Sequence, residues 1–191
     1  MNVVYYFAGD PLQHRLVAVA AAAAGDLETV ERLLGEGAPP STPDTCWGAT
    51  LLHVAGAAGH LNVVNRFIKG GAILDIRDGD GITPLMAACS AGRNEVALTL
   101  ANIGADVPYE RPEDGMSALK FALWGRCSRK VIRCLLSKGA SEPEPGFVIV
   151  HLAAPNSGNW QVAKFWATRA FVVVGLCAMI FVIIIVRSNA P

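Results

Sequence analysis

The 191-residue chain contains no Asn-x-Ser/Thr sequon and no Cys-x-x-Cys pair. Its five cysteines (Cys46, Cys89, Cys127, Cys134 and Cys177) are odd in number and scattered. That argues against a disulfide framework and against a zinc site. The missing sequon agrees weakly with a cytosolic body. Charge of one sign is also lacking, since sixteen bases balance sixteen acids. Bulk attraction to nucleic acid or to an acidic substrate is therefore excluded. No Gly-Lys-Ser/Thr phosphate loop occurs, and the acidic, glycine-rich stretch Asp78–Thr83 lacks the glutamate that completes a calcium loop. None of the four histidines has a cysteine or carboxylate at ligand spacing. No catalytic residue, cofactor site or metal site is expected.

What is present is uneven. Residues 1–119 hold fourteen acids and seven bases, whereas 120–138 hold six bases and no acid. Hydrophobic residues make up 52% of the chain and charged residues 17%, which is not a disordered composition. His14–Asp26 has the layout of a secretory leader, with a basic residue, an apolar run and small residues. The same residues also fit an Ala-rich buried helix, which the periodicity described next favours.

Self-comparison reveals a period of about 33. "TLLHVAGAAGHLNVVNRFIKGGA" begins at Thr50, and "TPLMAACSAGRNEVALTLANIGA" begins at Thr83. Gly59 and Gly92 share one register, as do Gly71 and Gly104. Upstream, "AAAAAGDLETVERLLGEGA" places Gly25 and Gly37 34 residues before Gly59 and Gly71. A fourth copy starts at Ser117 with one inserted residue, and "VHLAAPNSGNWQVAKFWA" from Val150 is the first part of a fifth. Repeats of this length belong to stacked arrays.

Each block offers two short helical stretches around a glycine or polar turn. Val63, Val64, Phe67 and Ile68 fall at helical spacing, as do Leu27, Val30, Leu33 and Leu34. Thr50, Thr83 and Ser117 are suited to cap helix N-termini, and Pro84 sits where a missing N–H does no harm. Gly71, Gly104 and Gly139 are suited to end helices in the left-handed conformation. The turns Thr45–Gly48, Arg77–Gly81, Arg111–Gly115 and Glu142–Gly146 are expected to form hairpin-like fingers between copies.

These features resemble the ankyrin repeat. Thr50-Leu51-Leu52-His53 and Thr83-Pro84-Leu85-Met86 stand where that family has Thr-Pro-Leu-His. The resemblance implies an all-α solenoid of four to five copies over residues 12–167, with the first and last copies degenerate, after an N-terminal segment 1–11. It places His53 and His151 at the hallmark histidine position, with His60 after the inter-helix glycine; their expected role is local hydrogen bonding that supports turns. Some ankyrin proteins are membrane palmitoyltransferases, but their Asp-His-His-Cys motif is absent here.

"AFVVVGLCAMIFVIIIV", Ala170–Val186, is uncharged throughout. It is too long for an ordinary strand and does not alternate. As a helix it would be apolar all round, and thin repeats cannot enclose such a cylinder. Seventeen residues span roughly 25 Å, against a hydrocarbon thickness near 30 Å. Twelve are Phe, Val, Leu or Ile, so insertion gains about 5 kcal/mol. Arg169 and Arg187 bracket the run and suit the two surfaces, and Phe165 and Trp166 suit an aromatic belt. The expectation is a single transmembrane helix, 168–187, running on from the fifth copy, with a short tail, 188–191, as in tail-anchored proteins.

The functional expectation follows from surface, not chemistry: a non-enzymatic, membrane-anchored adaptor that binds a protein partner at a cytosolic membrane face. The short span suits the endoplasmic reticulum or an outer organelle membrane more than the plasma membrane. An alternative is a small subunit or fragment of an ankyrin-bearing channel or transporter assembly. Candidate partner-binding residues are Trp47, Arg77, Asp80, Arg111 and Trp124. Candidate contacts to lipid headgroups are Arg126, Arg129, Lys130 and Arg133.

Overall fold

The computed structural model describes residues 11–37, 39–41 and 47–143. The fifth copy and the apolar run 170–186 lie outside the described residues. Eight α-helices are described, and no strand is found among the described residues: α1 Pro11–Ala24, α2 Leu27–Gly35, α3 Leu51–Ala58, α4 Leu61–Lys69, α5 Pro84–Ser90, α6 Asn94–Asn102, α7 Ala118–Trp124 and α8 Arg129–Ser137. The leader-like stretch belongs to α1, where Ala18, Val19, Ala21 and Ala22 are buried.

The helices form four pairs. Within each pair the two helices touch; between pairs, α1, α3, α5 and α7 form one row and α2, α4, α6 and α8 a second. The second-helix row buries Val63, Val64 and Phe67 on α4, Val96 and Leu100 on α6, and Val131 and Leu135 on α8. The first-helix row mixes large groups, Leu52, Leu85, Met86, Leu119 and Phe121, with small ones such as Ala55, Ala87, Ala88 and Ala122, which let neighbouring copies approach closely. One continuous core results, because no single pair has enough apolar surface to fold alone.

Helix ends follow the sequence closely. Thr83 Oγ1 accepts from the Met86 N–H at 3.3 Å, and Ser117 Oγ accepts from Lys120 N–H at 3.4 Å. Gly71, Gly104 and Gly139 adopt φ of 84°, 106° and 89°, the left-handed region. In the second copy the cap is made by His53. Its Nδ1 accepts from the Thr50 N–H at 3.0 Å, with the Thr50 hydroxyl 2.9 Å away, while Nε2 lies 2.9 Å from the Ile82 carbonyl. An Nδ1 that accepts leaves the proton on Nε2, which therefore donates to Ile82 O. The ring thus ties its own helix to the next finger, further than a local turn support.

A second cross-copy series was not expected. In the second, third and fourth copies the residue after the inter-helix left-handed position donates back to the end of the previous copy's first helix. His60 Nε2 meets Ala23 O at 3.0 Å, Arg93 Nε donates to Ala57 O at 3.0 Å, and Cys127 Sγ donates to Cys89 O at 3.4 Å. The left-handed residues themselves are Gly25 (φ 77°), Gly59 (φ 90°), Gly92 (φ 68°) and, in the fourth copy, Arg126 (φ 54°).

Asp26 caps α2, accepting from the Thr29 N–H at 3.1 Å and from the Thr29 hydroxyl at 2.6 Å. The hydroxyl bond, then the N–H bond, holds its carboxyl below the ordinary value of 3.8. A lowered folded value means the cap contributes fully above pH 3.8 and is lost as pH falls through the folded value. Asp26→Ala is expected to cost about 1 kcal/mol at neutral pH, an effect that shrinks towards nothing in strong acid. Urea titrations at both pH values check this.

Candidate functional site

The fingers are turns, not hairpin strands; one isolated bridge joins Glu110 to Ser117. In the second finger, Asp78 is buried and its Oδ1 accepts from the N–H groups of Asp80 and Ile82, both at 2.9 Å. In the third, Asp114 Oδ1 accepts from the Met116 N–H at 3.0 Å and lies 3.5 Å from Arg111 Nε. The Thr45–Gly48 and Glu142–Gly146 turns fall partly outside the described residues.

Adjacent fingers touch. The Gly79 N–H donates to Trp47 O at 2.6 Å, joining the first finger to the second. The Arg77 guanidinium lies 4.0 Å from the centroid of the Tyr109 ring, joining the second to the third. A Cβ on Gly81 would sit 3.4 Å from the Tyr109 hydroxyl and 3.7 Å from Arg111 Cγ. Four of the expected partner-binding residues, Trp47, Arg77, Asp80 and Arg111, thus lie along one edge. Trp47 is 50% exposed; Asp80 and Arg111 are half-buried. The fifth, Trp124, is elsewhere: it ends α7, is half-buried, and stacks on Phe121 with centroids 6.1 Å apart.

Tyr109 and Asp78 complete the edge and were not singled out from the sequence. The only signals available were an aromatic beside a turn and an aspartate two residues before Asp80. Neither signal separates a surface residue from a structural one.

The thiols offer little chemistry. Cys89, Cys127 and Cys134 are free. The neighbouring Cys127 thiol, then burial, pushes the Cys89 thiol well above 9.0, and Cys89 in turn lowers Cys127. Among the described residues, no group of three or more His, Cys, Asp or Glu side chains could hold a metal ion.

Arg126, Arg129, Lys130 and Arg133 are all exposed, on α8 and the turn before it. Among the described residues, no helix is long and apolar enough to cross a membrane.

Residues 18–111 match the family model for ankyrin repeats, in three copies. This agrees with the all-helical stack, which is an ankyrin-repeat fold. Among similar proteins, protein phosphatase 1 regulatory subunit 27 of Mus musculus is 40% identical over 84 residues, 43% of this chain and 53% of that protein. The probable E3 ubiquitin-protein ligase XBOS32 of Oryza sativa subsp. japonica is 37% identical over 118 residues, 60% of this chain and 24% of that protein. SH3 and multiple ankyrin repeat domains protein 2 of Homo sapiens is 37% identical over 103 residues, 53% of this chain and 5% of that protein. The match spans about half or less of each of these relatives.

Proposed function

We propose that the chain is a non-enzymatic adaptor that binds a protein partner through its finger edge, anchored by residues 168–187 at the cytosolic face of a membrane. The observation that carries the partner-binding part is Trp47: a large aromatic, 50% exposed, on a turn joined to its neighbour by a backbone hydrogen bond. Exposed tryptophan and arginine on a fixed support are the residue types that dominate protein interfaces. The relative named as a phosphatase regulatory subunit supports a role in binding a protein, without naming the partner here.

The anchor rests on the composition of Ala170–Val186 and on the bilayer thickness it approaches. The short apolar length favours a thin membrane, such as the endoplasmic reticulum or an outer organelle membrane. Free thiols at Cys89, Cys127 and Cys134 suit repeats that face a reducing compartment.

Proximity labelling in cells tests the binding part. Trp47→Ala is expected to lower labelling of the partner set about tenfold while the melting temperature stays put. An unchanged set overturns the finger-edge reading. Alkaline extraction tests the anchor separately: the chain is expected in the membrane pellet, and recovery in the supernatant overturns it.

A further inference from the structure

We propose that the outer surface of α8 and the turns that flank it lie on an anionic lipid bilayer, with Arg126, Arg129, Lys130, Arg133 and Lys138 facing the headgroups. This rests on the membrane reading above.

The first observation is a contrast in how basic side chains are used. Earlier in the chain most are engaged, exposed Lys69 on α4 being an exception. Arg32 pairs with Glu36, Arg66 with Glu31, and Arg111 with Asp114. Arg93 donates to Ala57 O, and Arg77 covers Tyr109. Lys120, the first of the six bases in the acid-free stretch, is also held: its Nζ donates to Gly115 O at 2.7 Å and lies 3.8 Å from Glu110. The remaining five are exposed and form no ion pair among the described residues, although Glu95 lies on the adjoining helix α6. Like charges so close together repel one another.

The second observation is conformational. Gly25, Gly59 and Gly92 occupy the left-handed turn of the first three copies, and Arg126 occupies it in the fourth at φ 54°. A side chain there is strained, and glycine removes the strain. The chain therefore carries an arginine at a backbone position that glycine fits better. An arginine kept at a strained backbone position points to a use for its side chain.

Single-stranded nucleic acid would call for exposed aromatic stacking platforms, and the cluster holds none. The apolar run begins at Ala170, 32 residues after Lys138 (170 − 138). Tethering at that distance raises the local concentration of membrane enough for a weak patch to stay docked.

The test uses the full chain in vesicles of phosphatidylcholine alone, or with about 30% phosphatidylserine. The readout is lysine acylation by a water-soluble reagent, followed by mass spectrometry. Each base near an anionic surface contributes roughly a fivefold factor. Acylation of Lys130 and Lys138 is expected to slow at least about fivefold in the anionic vesicles. Exposed Lys69 on α4 keeps its rate, and about 0.5 M salt abolishes the difference. Arg126→Gly with Arg129→Gln and Arg133→Gln is expected to remove the protection. Arg126→Gly alone melts no lower than the parent, so loss of protection cannot be ascribed to unfolding. Equal rates in the two vesicle types overturn the proposal. So does equal protection in phosphatidylcholine by added polyglutamate, which would make the surface a reader of acidic protein. Retention of the chain on pure phosphatidylcholine after alkaline washing reports the anchor independently.

Discussion

His53→Ala is expected to destabilise the chain by about 3 kcal/mol, read as a lower urea midpoint with an unchanged denaturant slope. The ring is fully buried and holds two copies together. Its removal leaves the buried Thr50 N–H without its acceptor, and the Ile82 carbonyl retains only the bond from Asp78 N–H. A cavity between α3 and the second finger adds to the loss. The third copy manages without histidine because Thr83 Oγ1 caps α5 directly and Met86 fills the volume. The fourth replaces the ring by Lys120, whose Nζ reaches back to Gly115 O. A change below about 1 kcal/mol would mean the bridge is replaceable by water.

Gly125→Ala is expected to cost about 2 kcal/mol, although glycine-to-alanine exchange at a compatible backbone conformation ordinarily stabilises. Gly125 has φ −72° and ψ 2°, which alanine adopts freely. The obstacle is the neighbour: an added Cβ would collide with the Cys89 carbonyl oxygen and meet Ser90 O at 2.7 Å. Both are backbone atoms, so the whole fourth copy must move. The first three copies read Ala24-Gly25, Ala58-Gly59 and Ala91-Gly92, whereas the fourth reads Gly125-Arg126. Its glycine serves close approach and leaves the left-handed turn to arginine. Gly35→Ala is the matched control. It ends α2 with nothing within 4 Å of the added carbon, and is expected to gain about 0.5–1 kcal/mol. If both variants shift the melting temperature upward, the tight contact between third and fourth copies is absent in solution.

Much of the fold was legible because each repeat writes the same instruction several times. Thr83 and Ser117 cap where their register places them, and Gly71, Gly104 and Gly139 turn left-handed where helices end. The cross-copy donors were not legible. His60, Arg93 and Cys127 share a role but no chemistry, being imidazole, guanidinium and thiol, and each partner lies 36 to 38 residues away in a carbonyl that sequence does not mark. The finger edge was half legible. Trp47 and Arg77 stand out as unusual residues in turns, but that Tyr109 would lie under Arg77 depends on how two turns stack. Trp124 shows the limit: a tryptophan at a helix end reads equally as filler or anchor, and its stacking on Phe121 leaves it half of each.

The backward-reaching donors have a mechanical corollary. In a one-dimensional array, tension applied between the two ends passes through every junction in series. At the first two of the three described junctions these donors are nitrogens at 3.0 Å; at the third the Cys127 thiol, a weak donor at 3.4 Å, is backed by the Ser128 N–H, which donates to Asn94 Oδ1 at 2.6 Å. Under load, Asn94 on α6 therefore carries what the thiol cannot, and Asn94→Ala should make the fourth copy part from the third before the others yield.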